Sequence, residues 1–131
     1  MSQKLANEHS DRFAAIACMS YYLLDDPLAD YSPIPIMEIH GLLDQIILYS
    51  KDPMHLPNVE AQEHGAIQNL LLWADMNGCS GSLPDSNQPS VFYSVQSFTD
   101  CDNGTEVSLV TLYAADHNPY CLLYTSPSPR D

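Results

Sequence analysis

The dipeptide Asn103-Gly104 constrains this chain more than any other pair of residues. It separates two runs rich in Val, Phe, Tyr and Thr, Val91 to Thr99 and Thr105 to Ala115. A two-residue type I′ turn needs positive φ at both central positions, which Asn and Gly tolerate best, so the arrangement predicts a β-hairpin. With that turn, opposing residues sum to about 207, pairing Phe98 with Leu109, Val95 with Leu112 and Tyr93 with Ala114. One face then carries Tyr93, Val95, Val110, Leu112 and Ala114, and the other Phe92, Phe98, Val107, Leu109 and Tyr113. A lone hairpin that is apolar on both faces is marginal in water. Helices are expected on one face, with further strands, a second subunit or a target on the other.

Upstream, apolar spacing predicts three helices. Phe13, Ile16, Ala17, Tyr21 and Leu24 recur at i, i+3 and i+4 within Lys4 to Leu24, and Asp25-Asp26-Pro27 closes that run. Pro33 and Pro35 precede a second stripe through Ile36, Ile39, Leu43, Ile46 and Ile47, ending near Ser50. A third helix is expected from Asn58, with Glu60 in its first turn, through Ala66, Ile67, Leu70, Leu71 and Ala74 to Asn77-Gly78. The expected fold class is α+β: about three N-terminal helices packed on a C-terminal antiparallel β-hairpin or small meander. Its expected core includes Phe13, Ile16, Ile39, Leu43, Ile46, Ile67, Leu70, Leu71, Val95 and Leu112.

The 131 residues divide into a single domain, 1–120, and a tail, 121–131. Written back into codons, Cys121 to Asp131 resembles an in-frame read through a transposase-type sequencing adapter, and the tail is set aside from functional reasoning. Seventeen Asp and Glu face four Lys and Arg, for a net charge of -13, although charged residues are only 16% of the chain. Base is scarce rather than acid abundant. Such a surface does not suit direct nucleic-acid binding or an anionic membrane, both of which call for clustered Lys and Arg. Outside the tail, Cys18, Cys79 and Cys101 form an odd set without CxxC spacing, so neither a disulfide framework nor a zinc site is expected. With no apolar leader read at Met1 to Arg12, the expected compartment is the cytoplasm, that of a host cell if the chain is viral.

Several clusters bear on function. Asp100-Cys101-Asp102-Asn103-Gly104-Thr105-Glu106 offers alternating oxygens but misses the EF-hand glycine and its twelfth-position carboxylate. Glu60, Glu63 and His64 are the weak metal candidates, since Glu60 and His64 stand four apart on an expected helix face. Glu60-Ala61-Gln62-Glu63 resembles the ExxE half of helical nucleotide pyrophosphohydrolases, while Leu72-Trp73-Ala74-Asp75 supplies only the aspartate of the second half. His9, His40, His55 and His117 are scattered, without a Gly-x-Ser-x-Gly elbow, and are read as surface or cap residues.

The binding surface is expected at Asp25, Asp26, Asp30, Asp100, Asp102 and Glu106, with Tyr93 and Tyr113 as stacking aromatics. The function expected from charge is a small non-catalytic inhibitor from a phage or mobile element. It would block a basic host nucleic-acid-binding or defence protein by imitating nucleic acid. The alternative is an oligomer sequestering a small nucleotide-like immune signal, and the third reading is a metal-dependent hydrolase. No cofactor is expected, and a homo-oligomer would cover the second hairpin face.

Overall fold

A computed structural model of the chain describes residues 1–117. The adapter-like tail at 121–131 lies outside the described residues, as do residues 118–120 of the aromatic-rich segment. The described residues form an α/β fold around a five-stranded mixed sheet. Its strands are β1 (Ile16–Met19), β2 (Ile36–Gly41), β3 (Ser86–Pro89), β4 (Tyr93–Phe98) and β5 (Val107–Leu112), in the order β1-β2-β5-β4-β3. β1, β2 and β5 run parallel, and β5, β4 and β3 pair antiparallel. Two helices accompany the sheet, α1 (Ser2–Glu8) and α2 (Ala66–Met76).

This corrects the α+β expectation of three helices on a hairpin. The first expected helix holds only α1, a 3-10 turn at Ser10–Arg12 and then β1. The second is β2 followed by turns. In β2, Ile36, Glu38 and His40 are buried while Met37 is exposed and Ile39 half-buried, an alternation of period two. Apolar Ile36 lies on the buried face and apolar Met37 and Ile39 on the more open one, so apolar residues stand at odd and even positions alike. Over five or six residues that pattern also satisfies helical spacing, which explains the misreading. The third helix exists but begins at Ala66, after Gly65 in extended geometry; Asn58 has φ 66° and belongs to the preceding coil.

The hairpin is present as β4 and β5, with Asn103 at φ 57° and Gly104 at φ 66°. Its register differs from the expected one by two: Phe98 opposes Val107, Val95 opposes Val110 and Tyr93 opposes Leu112. A 3-10 turn at Asp102–Gly104, rather than a two-residue loop, links the strands. A slip of two preserves which face each side chain occupies, so Phe98, Val107 and Leu109 still share one face. That face is the core, where they join Ile36, Leu70, Trp73, Ala74 and Ala6. Of the expected core, Leu70 is buried, and Ile16 and Ile67 pack against its edge. Phe13, Leu43, Ile46 and Leu71 are exposed; Ile39, Val95 and Leu112 are half-buried on the sheet's other face.

Cys79 and Cys101 form a disulfide, contrary to the parity argument from three cysteines. The third, Cys18, is buried and free, so the odd count left one complete pair. The bond ties the end of α2 to the β4–β5 turn. Two backbone bonds flank it, Ser80 N to Asp100 O at 2.8 Å and Asp102 N to Asn77 O at 2.9 Å.

Candidate acid–base site

The neighbouring parallel strands β2 and β5 leave the sheet at the same end, because they run in register from Ile36 opposite Val107 to Gly41 opposite Leu112. In sheets with parallel strands, the carboxyl ends are where ligands and catalytic groups gather. The two exit loops are laced backbone to backbone, Leu42 N to Leu112 O at 2.9 Å and Leu43 N to Ala115 O at 3.0 Å. Glycine at position 41 permits that approach: a Cβ there would lie 2.4 Å from the Ala115 carbonyl oxygen. One loop delivers Asp44 and the other delivers His117.

Asp44 is fully buried. Its Oδ1 accepts the amides of Ile46 and Ile47, each at 2.9 Å, the local hydrogen bonding by which an aspartate fixes a turn. Its Oδ2 lies 2.9 Å from Nδ1 of His117, whose side chain is 33% exposed. The carboxylate can only accept, so Nδ1 carries the hydrogen and Nε2 is the basic nitrogen. A buried carboxylate orienting a partly exposed imidazole is an arrangement suited to proton transfer.

A second histidine stands behind Asp44. His40 is fully buried; its Nδ1 lies 2.9 Å from Glu38 Oε1, and its Nε2 lies 2.8 Å from the Ile47 carbonyl and 3.5 Å from Asp44 Oδ2. Asn69 of α2 donates through Nδ2 to Glu38 Oε2 and accepts the Leu23 amide on Oδ1 at 3.0 Å. Burial raises the Glu38 carboxyl above its ordinary range, against the bonds from His40 and Asn69. Burial also pulls the His40 imidazole down, but the Glu38 bond, the Ile47 carbonyl and the charges of Glu38 and Asp44 outweigh it, and its net shift is upward. Among the described residues, every buried side-chain nitrogen and oxygen has a partner.

The residues selected from the sequence lie elsewhere. Asp25 pairs with Lys4 at 3.2 Å, Asp26 accepts Asn7 on its carbonyl at 2.9 Å, and Asp30 sits exposed in the β1–β2 connection. Asp100, Asp102 and Glu106 gather near the β4–β5 turn, where Glu106 accepts the Ser108 hydroxyl at 2.7 Å. Tyr93 begins β4 and Tyr113 follows β5, at the opposite end of those strands. The acidic set and the aromatic pair are therefore not brought together. Glu60, Glu63 and His64 are exposed on the coil before α2. No group of three His, Cys, Asp or Glu side chains among the described residues is arranged to hold a metal ion.

Sequence reasoning passed over Asp44 and set His40 and His117 among surface or cap residues. The available signal was an aspartate shortly after one apolar run and a histidine shortly after a later one. With Ile36 to Ile47 read as a helix, Asp44 had no strand end to follow.

Comparison with known proteins gives one informative similarity. No protein-family profile matches the chain. Over 86 residues it is 29% identical to feruloyl esterase B of Piromyces equi, a stretch covering 65% of this chain and 16% of that protein. The matched stretch is thus a small part of the esterase's length.

Proposed function

We propose that Asp44 and His117 are the acid and base members of a Ser-His-Asp triad, and that the chain carries the acid–base portion of a carboxylic-ester hydrolase. The observation behind this reading is the buried Asp44 carboxylate holding Nδ1 of a partly exposed His117 at 2.9 Å, beyond the carboxyl ends of adjacent parallel strands. In such a site Nε2 of His117 removes the proton from an attacking hydroxyl and returns it to the departing alcohol oxygen. Asp44 keeps the hydrogen on Nδ1 and stabilises the imidazolium that forms in between. An aspartate that precedes its histidine along the chain fits two known triad orders, one with the serine before the aspartate and one with it after the histidine. Similarity to a feruloyl esterase, a protein named for cleaving an ester, supports the reaction class. The acidic-inhibitor expectation rests on net charge, which speaks to association; the buried pair speaks to a reaction and carries the proposal.

An activated aryl ester, p-nitrophenyl acetate, is a suitable probe, because an oriented imidazole accelerates its cleavage either by activating a hydroxyl or by attacking the carbonyl itself. The expected outcome is nitrophenolate release that falls about 100-fold or more in His117→Ala and is clearly reduced in Asp44→Asn. Equal rates for the native chain and a folded His117→Ala variant would overturn the reading.

A further inference from the structure

We propose that Glu38 and His40 form a buried ion pair that positions Asp44 and sets how strongly it draws a proton onto His117. The inference rests on reading Asp44 and His117 as an acid–base pair, and makes His40 a positioning residue. Asp44 Oδ2 lies between two imidazoles, His117 Nδ1 at 2.9 Å and His40 Nε2 at 3.5 Å. Oδ1 is occupied by the amides of Ile46 and Ile47, so the carboxylate is held in an orientation that serves both rings.

His40 is itself fixed at both nitrogens. Nε2 faces a carbonyl and a carboxylate, so that nitrogen carries a hydrogen. Nδ1 faces Glu38 Oε1, and the other Glu38 oxygen is taken by Asn69. The groups around this pair are Asp44 on the loop after β2, the Tyr49 ring 6.3 Å from the His40 ring, the Cys18 thiol of β1 whose ionisation Glu38 opposes, and neutral Asn69 of α2. His117 completes the set, against the same Asp44 Oδ2. With Nδ1 protonated, His40 is a cation held between the Glu38 and Asp44 carboxylates, the pairing a buried charge requires.

That cation has a use. A general base must be unprotonated when it acts, yet a buried carboxylate facing a single imidazole favours the imidazolium. Positive charge on His40, placed against the same oxygen, opposes a second positive charge on His117. Asp44 then orients His117 without holding a proton permanently on it. Glu38 balances His40, so the trio of Glu38, His40 and Asp44 sums to one negative charge.

The test uses the 131-residue chain with 15N-labelled histidine, followed by long-range proton–nitrogen correlation spectra across pH. In the native chain at neutral pH, His40 is expected to show both ring nitrogens protonated. In Glu38→Gln, whose amide can donate to His40 Nδ1 while its oxygen accepts Asn69, His40 becomes neutral. Asp44 Oδ2 then faces one charged ring fewer, and its hydrogen bond from His117 Nδ1 is expected to strengthen, read as a downfield move of the His117 Nδ1 proton. A neutral His40 in the native chain overturns the proposal, as does an unmoved or upfield-shifted His117 Nδ1 proton in a folded Glu38→Gln variant. If that variant does not fold, the native His40 spectrum decides by itself. These spectra do not depend on ester cleavage, so the two proposals fail separately.

Discussion

Cys18 shows what one buried group does to the pH range of the molecule. It accepts a bond from Gln3 Nε2 at 3.1 Å and lies 3.5 Å from the Met37 carbonyl oxygen. Burial, with the Glu38 charge beside it, pushes its thiol from an ordinary value near 9.0 up to about 12. Above pH ~9 an unfolded chain loses this proton while the folded one keeps it, so folding stability falls by about 1.4 kcal/mol per pH unit until the folded thiol also ionises. The alkaline decline expected from this group lies between pH 9.0 and about 12, and is absent at neutral pH. Urea denaturation midpoints measured across that window check it: Cys18→Ala should flatten the decline, and an unchanged slope would refute the assignment.

Helix α2 illustrates how an element is anchored by polar groups within an apolar face. Asn69, Trp73 and Asn77 follow one another at intervals of four, and all three are buried. Each ties α2 and its C-terminal cap to a different part of the chain. Asn69 holds Glu38 and Leu23, Trp73 Nε1 donates to Gln3 Oε1 of α1 at 3.0 Å, and Asn77 Nδ2 donates to the Ile34 carbonyl at 2.8 Å. Asn77 also accepts the Tyr31 hydroxyl at 2.6 Å. Replacing Asn77 by Ala removes the acceptor of the Tyr31 hydroxyl hydrogen and the donor to the Ile34 carbonyl, at a cost of about 2–4 kcal/mol. Chemical denaturation of Asn77→Ala against Asn77→Asp would measure it; a loss below about 0.5 kcal/mol in the Ala variant would show that the bonds are replaced. The same helix marks the limit of sequence reading. Its existence was legible from Ala66, Leu70 and Ala74, but a stripe scored by apolarity alone included exposed Leu71 and omitted Asn69 and Asn77. The hairpin was legible because Asn103 and Gly104 act locally. β1 and β2 were not, because parallel pairing joins segments with no turn between them to announce it. Asp44 and His117 were hidden for the same reason, being neighbours only once β2 and β5 lie side by side.

For the molecule as a whole, the mixed sheet brings together segments far apart in sequence, and the Cys79–Cys101 bond closes one of the loops this creates. The cysteines are 22 residues apart, and a cross-link of that span contributes about 3 kcal/mol by restricting the unfolded chain. Reduction, or the double replacement by Ser, is expected to lower the calorimetric melting temperature by about 10 °C. A change of only a degree or two would mean that the flanking backbone bonds hold the α2 end without it. Its place is informative, since it braces the sheet end remote from His117. The end that bears His117 is laced by peptide groups where the loops after β2 and β5 meet at Gly41 and Ala115. That meeting works as a spacer of fixed width: it gauges the gap between Asp44 and His117, and its width is set by a hydrogen where any other residue has carbon. Under the proposed ester hydrolysis, damage at this position, which has no side chain to offer a substrate, would reach the chemistry while leaving Asp44 and His117 themselves intact.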